Sequence, residues 1–185
     1  MSMVLIALLV ALALVILWAL GVYNRLVRLK ALVDESWSGI DVQLKRRYDL
    51  VPNLVAVVKQ YSIHEQTVLE NVTRMRSASM HAGSINERAA AEAGLTQALK
   101  TLFAVVENYP ELKANENFAS LQRDLTALEN EIQLARRYYN GTARNYNIGV
   151  QTLPASIIAG MSGFHKVPYF ELASSAEREN VHVKF

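Results

Sequence analysis

The pattern of apolar and polar positions changes character once within the first fifty residues. From Val4 to Val22 no side chain is charged and most positions are Leu, Ile or Val. Each of these favours insertion into a bilayer by about 0.3 to 0.6 kcal/mol, and about twenty of them in a helix span the hydrocarbon core. The first charges, Arg25, Arg28 and Lys30, open a different pattern, in which Leu26, Leu29, Val33, Trp37, Ile40, Leu44 and Tyr48 recur at steps of three and four. That is the stripe of an amphipathic helix. No Pro interrupts the passage from Tyr23 to Tyr48, so the apolar run and the stripe form one helix or two nearly coaxial ones. Trp37 and Leu44 are expected in the core.

Further along, the periodicity predicts three more helices, about four in all. Pro52 lacks an N–H and disfavours helix at the residue before it, so a second helix is expected to start there with Asp49 as N-cap. Its stripe is Val51, Leu54, Val58, Tyr61, Val68, Val72 and Met75. The turn His81-Ala82-Gly83-Ser84 follows, and Ser84 with Glu87 three residues later has the form of a capping box. A third helix runs through Leu95, Leu99, Leu102 and Val106 to Asn108-Tyr109-Pro110. The fourth, from about Asn117 to Pro154, holds a heptad seam of Phe118, Leu121, Leu125, Leu128, Ile132, Ala135, Tyr139, Thr142 and Tyr146. Leu125 and Ile132 belong to its buried side, and Gly141 marks a kink or a close backbone approach. Short connections imply antiparallel neighbours. The fold class is therefore all-α: a single N-terminal transmembrane helix running into a long antiparallel helical bundle. The domain reading is an anchor over 1–23, a helical bundle over 24–165 and a C-terminal tail over 166–185, extended at Lys166-Val167-Pro168-Tyr169-Phe170 and mobile from Ser174.

Composition agrees with this class. The 185 residues are 51% hydrophobic with only 8 Gly and 4 Pro, and these fall mostly between the periodic segments. Cysteine is absent, which excludes disulfides and thiolate zinc sites. The net charge of +2 is interleaved along the chain, so no basic face suggests nucleic-acid binding. Ala19-Leu20-Gly21 could serve a signal peptidase, but the run is long and lacks a basic n-region, which favours a retained span. All nearby Arg and Lys lie on its C-terminal side, placing the bundle in the cytoplasm by the positive-inside rule.

Candidate chemistry is sparse. His64-Glu65 begins like a zincin motif, but Val68 stands where the second His is required. His81, His165 and His182 share no ligand spacing with it, so no metal site or cofactor is expected. Gly160-Met161-Ser162-Gly163 departs from the nucleophile-elbow pattern and reads as a flexible break. Arg46-Arg47 is more suited to an ion pair inside the bundle than to lipid phosphates. Arg137, Tyr139 and Asn140 are repeated seven residues later as Arg144, Tyr146 and Asn147. Either the tyrosines close one end of the bundle with Arg and Asn at its edge, or Arg136 or Arg137 meets Asp49 while the asparagines satisfy backbone opened near Pro52. No catalytic, cofactor-binding or metal-binding residue is assigned.

The segments RRYDLVPNLVAVVKQY, NYPELKANENFASLQRDLTALENEI and ARRYYNGTARNYN, with Gly163-Phe164 and Phe170-Glu171, resemble the signature stretches of the LemA family of bacterial membrane proteins. The resemblance implies one N-terminal transmembrane helix in the bacterial inner membrane and a helical bundle, and it brings no enzymatic activity or cofactor. The expected function is a membrane-anchored scaffold or interaction protein without catalysis. The alternative is a ligand- or peptide-responsive regulator of a membrane-bound enzyme. Expected partners are the lipid bilayer, other copies of the chain and a membrane protein, not nucleic acid. With only Gly21 in the span there is no GxxxG pair, so assembly into a closed homo-oligomer would rest on the soluble helices. Leu32 and Val33 beside Trp37, and Ile157, Ile158, Met161 and Phe164, are the candidate patches. The second patch either docks on a neighbouring copy or the membrane surface, or folds back onto its own bundle.

Overall fold

A computed structural model describes residues 3–61 and 65–171, and there the chain is helical without a single strand. In order come α1 (Met3–Tyr61), α2 (Gln66–His81), α3 (Ile85–Val106), α4 (Pro110–Lys113), α5 (Glu116–Gln151) and α6 (Ala155–Met161). These are six helices rather than about four, because the connections after Tyr109 and Pro154 each wind into a short helix of their own. Pro110 starts α4 at the first helical position, where its missing N–H costs nothing. The tail from residue 172 lies outside the described residues.

The expected break at Pro52 does not occur. α1 continues through it to Tyr61, and Asp49 is an exposed residue inside the helix rather than its cap. Pro52 cannot donate to the carbonyl four residues back, that of Tyr48. Arg76 of α2 supplies the missing donor, with Nε 2.6 Å from that oxygen. The helix therefore survives a residue that ordinarily ends one. In α1, the apolar stretch is the one helix among the described residues long and apolar enough to cross a membrane.

Contacts divide the chain into two compact units, residues 1–39 with 137–168, and 40–136 with 169–185. In the first, the C-terminal part of α5 runs antiparallel to α1. Trp37 meets Tyr139 edge-on at 5.4 Å. Ser36 Oγ lies 2.8 Å from Thr142 Oγ1. A Cβ at Gly149 would stand only 3.2 to 3.3 Å from Leu29 and Leu26. Leu26, Val33, Tyr139, Ala143, Tyr146 and Ala159 are buried. Trp37, expected in the core, is only half-buried, its edge turned to Tyr139. Gly141 lies inside α5 with no close neighbour; the close approach within this helix is at Gly149.

In the second unit, Ile40, Leu44, Val51, Leu54 and Val58 of α1 are buried, as are Leu95, Leu99, Leu102 and Val106 of α3. Leu125 and Ile132 of α5 are also buried, as their heptad positions require. α2 and α3 pack together across a short turn, where the capping box forms: Ser84 Oγ accepts from the Glu87 amide, and the Glu87 carboxylate accepts from the Ser84 amide. Asn115 performs the same office for α5, its Oδ1 accepting from the Phe118 amide at 3.0 Å.

Candidate functional site

The deepest polar cluster forms in the second unit, around Arg47 and Glu92. Arg46 and Arg47 are adjacent on α1 and so point about 100° apart around the helix. Arg46 faces outward to Glu131 and Gln43. Arg47 faces inward and is 4% exposed, with Glu92 of α3 at 3.3 Å and Glu129 of α5 at 3.1 Å. Its second terminal nitrogen donates to Thr96 Oγ1 at 2.9 Å. Glu92, 3% exposed, also accepts a hydrogen bond from the Tyr48 hydroxyl. Ser79 Oγ is buried and faces the same carboxylate without completing a full hydrogen bond.

Each group is shifted by its setting. Loss of solvent raises the Glu92 carboxyl above the ordinary glutamate range, partly offset by the Tyr48 hydrogen bond and the Arg47 charge. The Tyr48 hydroxyl is raised strongly, first by burial and then by the neighbouring Glu92. The Arg47 guanidinium thus neutralises carboxylates from two other helices, and Tyr48 ties the adjacent residue of α1 to the same acid. A buried charge left without its partners would cost several kcal/mol, so the cluster fixes the register of α1, α3 and α5.

Glu92 was not singled out from sequence, although a signal exists. The apolar positions Leu95, Leu99, Leu102 and Val106 extrapolate back by one short step to residue 92, where a carboxylate interrupts the stripe. An acid on a buried face needs a buried cation.

In the first unit, Tyr139 and Asn147, one from each copy of the repeat, hold the chain that follows α6. Asn147 donates from Nδ2 to the Val167 carbonyl and accepts at Oδ1 from the Val167 amide, both at 2.9 Å. Tyr139 donates to the Pro168 carbonyl at 2.8 Å. Burial and the Asp34 charge push the Tyr139 hydroxyl up to about 12. Arg137 and Arg144 are exposed. The carbonyl opened at Pro52 is served by Arg76, and Asn147 serves Val167. In the second unit, Arg136 lies over the Phe170 ring at 5.3 Å.

Among the described residues, two histidines occur, His81 and His165. His81 is exposed and bonds through Nδ1 to the Ser77 carbonyl at 2.8 Å. His165 is exposed. His64 and His182 lie outside the described residues, while Glu65 accepts from the Tyr109 hydroxyl at 3.3 Å. Among the described residues no three His or carboxylate side chains are grouped to hold a metal. Ser162 is the C-cap of α6, and Gly163 beside it has φ +74°, so the expected flexible break is a defined turn.

The LemA family model matches residues 36–185, which includes both clusters. The chain belongs to the LemA family. Among LemA-family relatives, a protein LemA of Metamycoplasma hominis is 24% identical over 165 residues, covering 87% of this chain and 74% of its own length. Magnetosome protein MamQ 1 of Paramagnetospirillum magneticum is 25% identical over 175 residues, covering 80% of this chain and 64% of its own length. The Magnetospirillum gryphiswaldense MamQ is 24% identical over 174 residues with the same coverages. The chain thus spans slightly less than two thirds of the MamQ proteins' length. Membership in LemA and the apolar start of α1 together describe a membrane-associated helical protein.

Proposed function

We propose that this LemA protein is a membrane-anchored helical scaffold without catalytic activity. In this reading α1 crosses the bacterial inner membrane once, the remaining helices form an antiparallel bundle in the cytoplasm, and the bundle assembles with further copies and with a membrane-protein partner. The observation that carries the reading is the commitment of the buried charges to one another. Arg47 is taken by Glu92, Glu129 and Thr96, and the Tyr48 hydroxyl by Glu92. Groups tied in this way favour holding helices in place over acting on a substrate. The cytoplasmic placement follows from Arg25, Arg28 and Lys30 beside the apolar run.

A second reading, a regulator that answers to a small molecule or peptide, is favoured by a groove of about 310 Å³ in the second unit. Phe103 and Phe118 form its apolar wall and Lys100, Lys113 and Glu107 its charged edge.

The natural absence of cysteine makes the test direct. A Gln133→Cys variant, at an exposed position of α5, is treated in intact cells with a membrane-impermeant maleimide. The proposal expects labelling only after the membrane is opened, and an oligomer when the full chain is sized in mild detergent. Labelling of intact cells, or a monomer at all concentrations, contradicts the corresponding part.

A further inference from the structure

The short helix α6 is built with two different faces. Ala159 is buried, and Phe164, just beyond the helix, packs on Tyr23 of α1 with ring centroids 5.6 Å apart. The opposite side is apolar and open: Leu153 is 75% exposed, Ile157 57% and Met161 82%. Their spacing of four puts Ile157 and Met161 on one helical face, with Leu153 leading into it. The turn that ends α6 is closed by Gly163 in the left-handed region and by the Phe164 amide donating to the Ala159 carbonyl at 3.0 Å, a Schellman arrangement. Phe164 is thereby delivered to Tyr23, so the open face is fixed in direction.

The place of this face identifies what covers it. Tyr23 stands near the end of the uncharged run, two residues before the first charge at Arg25. The chain from Asn145 to Phe164 is also uncharged, and it is bounded by Arg144 and Lys166. Gly149 of α5 lies against Leu26 and Leu29, so the antiparallel course of α5 carries its end, and then α6, toward the apolar part of α1. An uncharged apolar face beside an aromatic residue at the end of a span, followed in sequence by Arg25 and Arg28 on α1 and by Lys166 after Phe164, has the composition of a membrane–water interface.

We propose that α6 is an interfacial membrane helix, its Leu153–Ile157–Met161 face immersed in the bilayer boundary and the flanking basic residues set at the phosphate level. The proposal rests on the reading of α1 as a membrane span. It adds a second attachment, one that fixes the rotation of the first unit about α1 because the immersed face looks in one direction only. Charged headgroups are the partners of Arg25, Arg28 and Lys166, and acyl chains those of Met161 and Ile157, while Lys30 pairs with Asp34 on its own helix.

The test uses nitroxide labels on single-cysteine variants of the full chain in vesicles of zwitterionic and anionic phospholipid. Met161→Cys and Ile157→Cys are compared with Leu12→Cys in the apolar run and with Leu134→Cys on the exposed side of α5. Accessibility to oxygen and to a water-soluble nickel chelate is measured at each. The expected result is an oxygen-to-nickel ratio at both α6 sites several-fold above that at Leu134→Cys and approaching that at Leu12→Cys. Water-like ratios at both α6 sites with a lipid-like Leu12→Cys overturn the proposal and leave the span intact. A water-like Leu12→Cys overturns the span and the proposal with it. Low access to both reagents, with dipolar broadening between labels, assigns the face to a second copy and likewise overturns it.

Discussion

Arg76 Nε donates to the Tyr48 carbonyl at 2.6 Å, the acceptor that Pro52 leaves without its intrahelical partner. A side chain from α2 thus completes the backbone of α1. Arg76→Met should leave that carbonyl unpaired and cost about 1 to 3 kcal/mol. Pro52→Ala returns an N–H to the same oxygen, so the Arg76 substitution should cost clearly less in that background. Denaturant unfolding of the two single variants and the double variant measures the coupling, and strictly additive costs would show that Arg76 does not act through Tyr48.

Arg47→Met removes the cation shared by Glu92 and Glu129. The expected loss is about 3 to 5 kcal/mol, because the buried Glu92 carboxylate loses its cation and keeps the partly exposed Glu129 beside it. A loss within about 0.5 kcal/mol, the range of ordinary surface changes, would mean that the cluster is solvated.

Glu92 also sets a pH dependence. Burial raises its folded-state pKa above the ordinary glutamate value of 4.5, so between those two values the folded chain binds more protons than the unfolded one. Its contribution to stability therefore falls as pH rises through that window and is most favourable below it. Glu92→Gln, which keeps the shape, should flatten this part of the stability profile. An unchanged slope in urea titrations from pH 4.5 upward would assign the dependence to other groups.

Asn147 holds both polar groups of Val167, and its removal should free that segment without unfolding the helices. In Asn147→Ala, hydrogen exchange at the Val167 amide should accelerate while amides inside α3 keep their protection. Equal acceleration everywhere would mark a global loss instead.

The two helical glycines of α5 should respond differently to alanine. At Gly141 an added Cβ meets nothing within 4 Å, and the gain in helix propensity is about 1 kcal/mol. At Gly149 the same Cβ crowds Leu29 and Leu26 and offsets that gain. Thermal melting of the two variants separates them, and equal stabilisation would place the packing of α5 elsewhere.

The stripes were legible because they report local geometry. Leu44, Leu125 and Ile132 are buried where the period of three and four puts them, and the Ser84–Glu87 capping box needs no partner beyond its own turn. Pro52 was misread for the opposite reason: its rescue comes from Arg76, 24 positions away, and no local pattern announces it. Trp37 falls on the stripe yet is half-buried, packed against Tyr139 of α5 at 5.4 Å. Of the Arg46-Arg47 pair, Arg47 alone pairs in the interior, and its buried partner Glu92 lies in an Ala-rich stretch where the apolar stripe is weak. In the same way the pairing of Asn147 with Val167 joins residues 20 apart and follows from the turn at Gly163.

Under the proposed function, this LemA protein works by assembling at a membrane and not by acting on a small molecule. Native mass spectrometry of the full chain released directly from bilayer vesicles tests both halves at once. The account predicts one closed homo-oligomer whose mass is accounted for by protein and lipid. A monomer, or a subunit mass that carries one stoichiometric small molecule, would contradict it.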